Sequence, residues 1–163
     1  MGEHGETWKA AVVTASNRAA AGVYEDTSGP LIVAALEEAG FEVTGPVVVP
    51  DGDPVGDAIR EAVGGGARVV LTTGGTGLTP TDRTPEATLS VLDREVPGIA
   101  EAIRAAGTAK GVPTAALSRG VAGVAGRALV VNLPGSRGGV KDGLAVVVPL
   151  LRHAAEQIVG SDH

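Results

Sequence analysis

Apolar positions along the chain fall into two alternating rhythms. Short runs rich in valine, leucine and isoleucine occupy 8–15, 43–49, 68–73 and 128–133 and predict strands. Between them the spacing changes to that of a helix. Ile32, Ala35, Leu36 and Ala39 recur at i, i+3, i+4 and i+7, one face of a helix that ends near Gly40, and 54–63 fits a second helix. Thr84 and Pro85 read as an N-cap and first helical residue, Glu86 suits the positive end of the helix dipole, and Leu89, Leu92 and Val96 continue a buried face. Pro97 restarts the chain into a helix over about 98–109. The last helix runs from about Ser136 to Val159, with Val140, Leu144, Val147, Leu151, Ala154 and Ile158 on one stripe and a kink expected at Pro149. Strands alternating with amphipathic helices are the signature of βαβ units around a mostly parallel sheet, so the fold class is α/β.

Composition narrows what such a fold can do. At 163 residues with 44% hydrophobic positions, the chain suits one domain over 1–163, with a core over 8–159 and frayed ends at 1–7 and 160–163; no internal repeat or linker divides it. The aromatics are Trp8, Tyr24 and Phe41, too few for a platform that stacks bases. A formal net charge of −6 argues against binding a nucleic-acid backbone, and any anionic ligand must find its counter-charge locally. Without cysteine there is no disulfide, thiolate metal site or thiol nucleophile. The lack of a long apolar run and the polar start, Met1 to Thr7, predict neither a membrane span nor a signal peptide, and a cytoplasmic location is expected.

In a parallel sheet the carboxyl ends of the strands share one edge, and ligands bind in the crevice outside it. Four unusual segments follow predicted strands: Thr14 to Arg18, including Ser16; Val49 to Asp53; Thr72 to Gly77; and Asn132 to Ser136. Thr73, Gly74, Gly75, Thr76 and Gly77 have the parts of an anion cradle, because glycine lets backbone N–H groups approach a phosphate and threonine adds donors without bulk. An ordinary strand-to-helix turn also uses glycine. Neither a Walker A loop nor the Rossmann Gly-x-Gly-x-x-Gly order is present. Gly64, Gly65 and Gly66 read as a helix stop. Asp82 stands where a carboxylate could hold Mg2+ against ligand phosphates, or could merely cap a helix. Asp51 and Asp53 are equally good turn chemistry. Pro134, Gly135 and Ser136 open the last helix, whose N-terminus could receive an anion beside Arg137 and Lys141, although Ser136 also suits a simple cap. Ser118 and Arg119 fit no periodic pattern. His153 reads as a surface residue, and His4 and His163 lie in the tails.

Taken in order, these segments resemble the MogA/MoaB family of molybdopterin adenylyltransferases. The most characteristic stretch is 72–87, Thr-Thr-Gly-Gly-Thr-Gly-Leu-Thr-Pro-Thr-Asp-Arg-Thr-Pro-Glu-Ala. It is joined by Asp26-Thr27-Ser28-Gly29, by the Val49-Pro50-Asp51 corner, and by Pro97 to Ile99, Leu117 to Gly123 and Asn132 to Ser136. The resemblance covers about 8–159. It implies a three-layer α/β sandwich, related to the pterin-binding domain of gephyrin and assembled as a homotrimer. It also implies molybdopterin and Mg-ATP as substrates, with possible contacts to other proteins of the molybdenum-cofactor pathway. On this basis Asp82 and Asp51 are candidate catalytic residues, with Asp82 the candidate Mg2+ ligand. Thr14, Ser16, Thr73 to Gly77, Ser118, Arg119 and Pro134 to Ser136 are candidate substrate or nucleotide contacts. Two departures stand out. Asn17 occupies a position where many relatives carry Asp, and Ser136-Arg137-Gly138-Gly139 replaces a more usual Asn-Pro or Ser-Pro. A pterin carrier without adenylylating activity is the main alternative; the metal-insertion protein of the pathway is normally much longer.

Overall fold

A computed structural model describes residues 7–160; the calls on His4, His163 and most of both tails lie outside the described residues. In chain order the elements are β1 (Lys9–Ala15), α1 (Asn17–Ala20), α2 (Ser28–Glu38), β2 (Glu42–Val49), α3 (Asp53–Gly64), β3 (Val69–Thr73), α4 (Thr84–Leu89), β4 (Arg94–Glu95), α5 (Pro97–Ala109), a 3-10 turn (Pro113–Leu117), β5 (Ala122–Ala125), β6 (Ala128–Leu133) and α6 (Arg137–Ile158). One sheet holds all six strands in the order β2-β1-β3-β6-β5-β4. The β1, β2, β3 and β6 strands are mutually parallel, whereas β5 runs antiparallel to β6 and β4 antiparallel to β5.

Two apolar clusters make the sheet the middle of three layers. On one face Val12, Leu71, Leu129 and Val131 pack with Ile32 and Leu36 of α2, Ile99 and Ile103 of α5, and Val140, Val147 and Leu151 of α6. On the other, Val13, Val70 and Val130 meet Val55 and Ile59 of α3 and Ala87 of α4. The alternation follows from the two-residue period of a strand, and each fully buried aliphatic side chain contributes about 1.5–3 kcal/mol. Central β3 and β6 are buried on both faces, so they read as continuous apolar runs.

The expected strands and long helices lie where their periodicity put them, and three local readings are corrected. Thr84 is not an N-cap. Arg83 takes that position, and the Thr84 N–H donates to the Gly75 carbonyl at 3.0 Å, so the preceding loop satisfies the helix start. The face expected through Leu89, Leu92 and Val96 breaks after Leu89, which is exposed. The Asp93 and Val96 N–H groups donate instead to Val124 and Ala122 at 2.8 Å, and β4 joins the sheet. The 122–125 segment, where no strand is expected from the sequence, supplies strand β5. Pro149 lies on the exposed face of α6, and the helix runs unbroken through it.

Candidate functional site

Strand β1 lies between β2 and β3, so successive connections leave it in opposite directions, and the switch opens a crevice beyond its carboxyl end. Register aligns Thr14, Thr73 and Leu133 across three parallel strands at that edge. Beyond Thr73 the chain turns sharply through Gly74 (φ +90°) and Gly75 (φ +70°), both left-handed. A Cβ at Gly74 would strike the main-chain oxygen of Ala15. The loop can therefore press against β1 only as glycine.

Two cavities open on either side of this loop. The larger, about 440 Å³, is bounded by Gly75, Thr76, Gly77 and Asp82, and its far wall comes from Ile103 of α5 and Leu117 of the 3-10 turn. That wall is drawn together where Gly107 lets Ala115 approach, since a Cβ there would come 2.5 Å from the Ala115 methyl. The smaller cavity, about 250 Å³, is lined by Thr14, Ser16, Asp26, Thr73, Gly74 and Arg137, among others. Gly135 and Ser136 line both. The ridge between the cavities is thus the Pro134–Ser136 turn against Gly74, and a Cβ on Gly135 would come 3.3 Å from the Gly74 Cα.

Hydroxyl groups hold this ridge in place. Thr73 Oγ1 donates to the Pro134 carbonyl at 2.6 Å and Ser28 Oγ to the Gly135 carbonyl at 3.0 Å. Ser136 Oγ accepts from the Gly139 N–H at 3.0 Å and caps α6; Ser16 Oγ accepts from the Ala19 N–H at 3.1 Å and caps α1. Thr14 Oγ1 donates to Asp26, whose other oxygen accepts from the Gly29 N–H.

Behind the glycine loop the acids converge. Asp82 Oδ2 accepts from the Thr79 N–H at 3.1 Å and would lie 2.8 Å from a Cβ on Gly77, so the loop bends closely around the carboxylate. Burial pushes the Asp51 carboxyl above its ordinary range, and the neighbouring Asp82 charge pushes it further; the Asn17 backbone amide works the other way. The Asn17 side-chain oxygen also accepts the Asp51 N–H at 2.9 Å, tying the corner after β2 to the start of α1. Asp51 Oδ1 and Thr84 Oγ1 are both buried without a hydrogen-bond partner. A Cβ on Gly75 would collide with the second and come 2.9 Å from the first. Two unpartnered oxygens beside a second carboxylate fit a small hard cation that keeps part of its water shell. Among the described residues no group of three or more His, Cys, Asp or Glu could cage a metal, so such a cation would draw its other ligands from water and phosphate.

Arg119 organises the loop from below. Its Nε donates to the Gly77 carbonyl at 2.9 Å, its Nη2 to the Asp82 carbonyl at 2.7 Å, and its Nη1 pairs with Glu86 at 2.6 Å. The guanidinium lowers the Glu86 pKa, first by that hydrogen bond. Asn132, buried in β6, donates to Thr72 and Thr88 Oγ1 at 2.9 and 3.0 Å and accepts from the Val121 N–H, so one side chain joins the sheet, α4 and the strand entering β5.

The sequence model of the family described as "Probable molybdopterin binding domain" matches residues 11–153. The chain belongs to this family, in its MogA/MoaB branch. It is 39% identical over 159 residues to the molybdopterin adenylyltransferase of Pyrococcus furiosus, covering 93% of this chain and 94% of that protein. It is 43% identical over 155 residues to the molybdenum cofactor biosynthesis bifunctional protein of Synechococcus elongatus, covering 94% of this chain but about half, 48%, of that longer relative. A solved MogA structure superposes with a TM-score of 0.89 at 57% identity, covering 92% of this chain and 99% of that one.

Within this MogA/MoaB-family fold, the residues singled out from sequence divide by position. Gly75 to Gly77, Asp82, Ser118 and the Pro134–Ser136 turn line the larger cavity. Thr14, Ser16, Thr73 and Gly74 line the smaller one. Asp51 lies behind the loop, and Arg119 turns its guanidinium onto protein carbonyls and Glu86. Sequence reasoning passed over Thr84 as a site residue, because Thr-Pro at a helix start has an ordinary structural explanation. It noted Asp26 only inside a family stretch. Asp142, which lines the larger cavity, stands as one polar residue in a long amphipathic helix and gave no signal.

Proposed function

We propose that the chain catalyses Mg-ATP-dependent adenylylation of molybdopterin, a step of molybdenum-cofactor assembly in the cytoplasm. A terminal phosphate oxygen of the pterin substrate attacks the α-phosphorus of ATP, the new phosphoanhydride bond forms, and the α–β bridge breaks to release pyrophosphate. One observation carries this reading: two cavities meet at a single ridge of glycine-rich backbone with two carboxylates behind it. Each cavity offers a compartment for one substrate, and the ridge brings their phosphates together. Such a transfer needs positioning and charge compensation, with no nucleophilic side chain.

Asp82 and Asp51 would hold Mg2+, which supplies positive charge to the reacting phosphates when bound. The Thr73–Gly77 backbone would grip phosphate, and the α6 N-terminus with Arg137 adds positive potential at the ridge. The raised pKa of Asp51 supports the same assignment, because an arriving cation relieves the repulsion between the two acids. Ser118 and Pro134 would complete the wall of the larger compartment. Arg119 acts on the loop rather than on substrate. The working assembly in this reading is a homotrimer.

Pyrophosphate release from Mg-ATP, followed with and without molybdopterin, tests the proposal. Release that depends on molybdopterin and falls sharply in Asp82→Asn is expected. Binding of molybdopterin with no release would make the protein a carrier.

A further inference from the structure

Two arginines near the crevice are in opposite states. Arg119 commits its donors to the protein, to the Gly77 and Asp82 carbonyls and to Glu86. Arg18 commits none: among the described residues its guanidinium makes no hydrogen bond and no ion pair, and it lies over the ring of Tyr24 with its central carbon 5.3 Å from the ring centroid. Tyr24 in turn lines the smaller cavity, as does Arg137, the first residue of α6.

A short arch sets this position. Ser16 caps α1 through the Ala19 N–H, the Val23 N–H donates to the Arg18 carbonyl at 2.9 Å, and Gly22, left-handed at φ +78°, turns the chain so that Tyr24 meets Arg18. The neighbouring Asn17 accepts the Asp51 N–H, which fixes the arch relative to the acidic corner behind the glycine loop. Contact with an aromatic ring orients a guanidinium without occupying its in-plane N–H donors, and that free fork matches the oxygens of a phosphate.

In a chain of net charge −6 an anion must find such positive charge locally. The proposed transfer makes that demand at one end of the nucleotide. The pterin phosphate oxygen supplies the electron pair of the new bond to the α-phosphorus. The electron pair of the breaking α–β bond leaves with the bridging oxygen, so pyrophosphate gains one negative charge and no proton needs to move. Asp82 lines the other cavity, so charge that appears on the Tyr24 side of the ridge needs a second group to meet it.

We propose that Arg18, held on Tyr24, binds the β- and γ-phosphates of ATP and takes up the charge of the departing pyrophosphate at the mouth of the smaller cavity. This rests on the adenylylation reading. Arg137 lines the same cavity and adds to the attraction.

The test compares equilibrium binding of ATP, AMP and inorganic pyrophosphate to the full chain in the presence of Mg2+. Arg18→Met should weaken ATP and pyrophosphate on the order of 10- to 100-fold while changing AMP little, the scale expected for losing charge-assisted hydrogen bonds. Turnover at saturating ATP should fall by about 100-fold as well, because the contact strengthens while the leaving group departs. Arg18→Lys, which keeps the charge without the fork, should recover part of both. Tyr24→Leu removes the ring but no donor to phosphate, and should weaken ATP and pyrophosphate by a smaller factor. Arg94→Met, on exposed β4 at the far edge of the sheet, is the control for loss of one positive charge. An unaltered ATP-to-AMP ratio in Arg18→Met, in protein with wild-type thermal unfolding, overturns the assignment while molybdopterin-dependent pyrophosphate release still stands; so does an equal loss of ATP and AMP affinity. Wild-type protein that binds neither ATP nor pyrophosphate and releases none overturns both readings.

Discussion

Arg119 holds the main-chain oxygen of Asp82 at 2.7 Å, and Asp82 lines the larger cavity. The same guanidinium reaches the Gly77 carbonyl, so both ends of the acidic loop hang from one planar group. This is a use of arginine that lysine cannot reproduce, because a single ammonium lacks the fixed fork. Arg119→Lys and Arg119→Ala should both lower the rate of adenylylation by roughly 10- to 100-fold, with little change in nucleotide affinity. The accompanying loss of stability should be about 1–2 kcal/mol, or a fall of roughly 2–8 °C in Tm. A full-rate Arg119→Lys enzyme would show that the loop needs no fork.

Asp82→Asn keeps the size of the side chain and its acceptor for the Thr79 N–H, so the fold should persist. Removing its charge should lower turnover by at least about 100-fold, the scale of losing one electrostatic group at a phosphoryl centre. Steady-state pyrophosphate release and circular dichroism on the same preparation check both halves.

Asp51 ties function to a cost in stability. Its folded-state pKa is raised, so the ionised carboxylate opposes folding above that pKa, and the cost is relieved as pH falls through it. Without Mg2+, Asp51→Asn should therefore be more stable than wild type at neutral pH, and the gap should close in acid. Adding Mg2+ should stabilise wild type and leave the variant unmoved. Thermal unfolding across pH, with and without the ion, reads this directly; a variant less stable than wild type at pH 7 would contradict the burial argument.

The Asn17 amide oxygen accepts the Asp51 N–H. Asn17→Asp can keep that bond and brings a third negative charge to the Asp51 and Asp82 pair. The acid limb of the pH–rate profile should move to higher pH, and binding of Mg2+ should tighten at alkaline pH. No movement of that limb would mean that Asp51 does not titrate in the reaction.

Gly75→Ala places a Cβ against Thr84 Oγ1 and near Asp51 Oδ1, at a φ of +70°. The backbone alone costs about 1–2 kcal/mol, and the displaced acids should abolish Mg2+-dependent turnover. Gly64→Ala, where nothing lies within 4 Å of the added methyl, is the matched control and should be close to neutral.

Local periodicity by itself determined the four parallel strands, the long helices and the glycine loop after Thr73, because each depends on neighbours a few residues away. The edge of the sheet where chemistry gathers followed from the same alternation, and Asp82 and Asp51 were visible as acids in that place. Tertiary structure decided the rest. Strands β4 and β5 are short and become strands only by pairing with β6 and each other, so Val96 looked helical until the β5 backbone claimed its N–H. Arg119 looked like a ligand contact, yet its donors are taken by carbonyls 37 and 42 residues away in sequence. The Asp51 carboxyl is perturbed by burial and by the Asp82 charge, and neither can be read from its neighbours in the chain. Asp142 acquired its place only when α5, the 3-10 turn and α6 closed around one cavity. A repeating pattern records which face of an element avoids water, but a site is made by side chains that the chain brings together from far apart, and their distances exist only once the layers have packed.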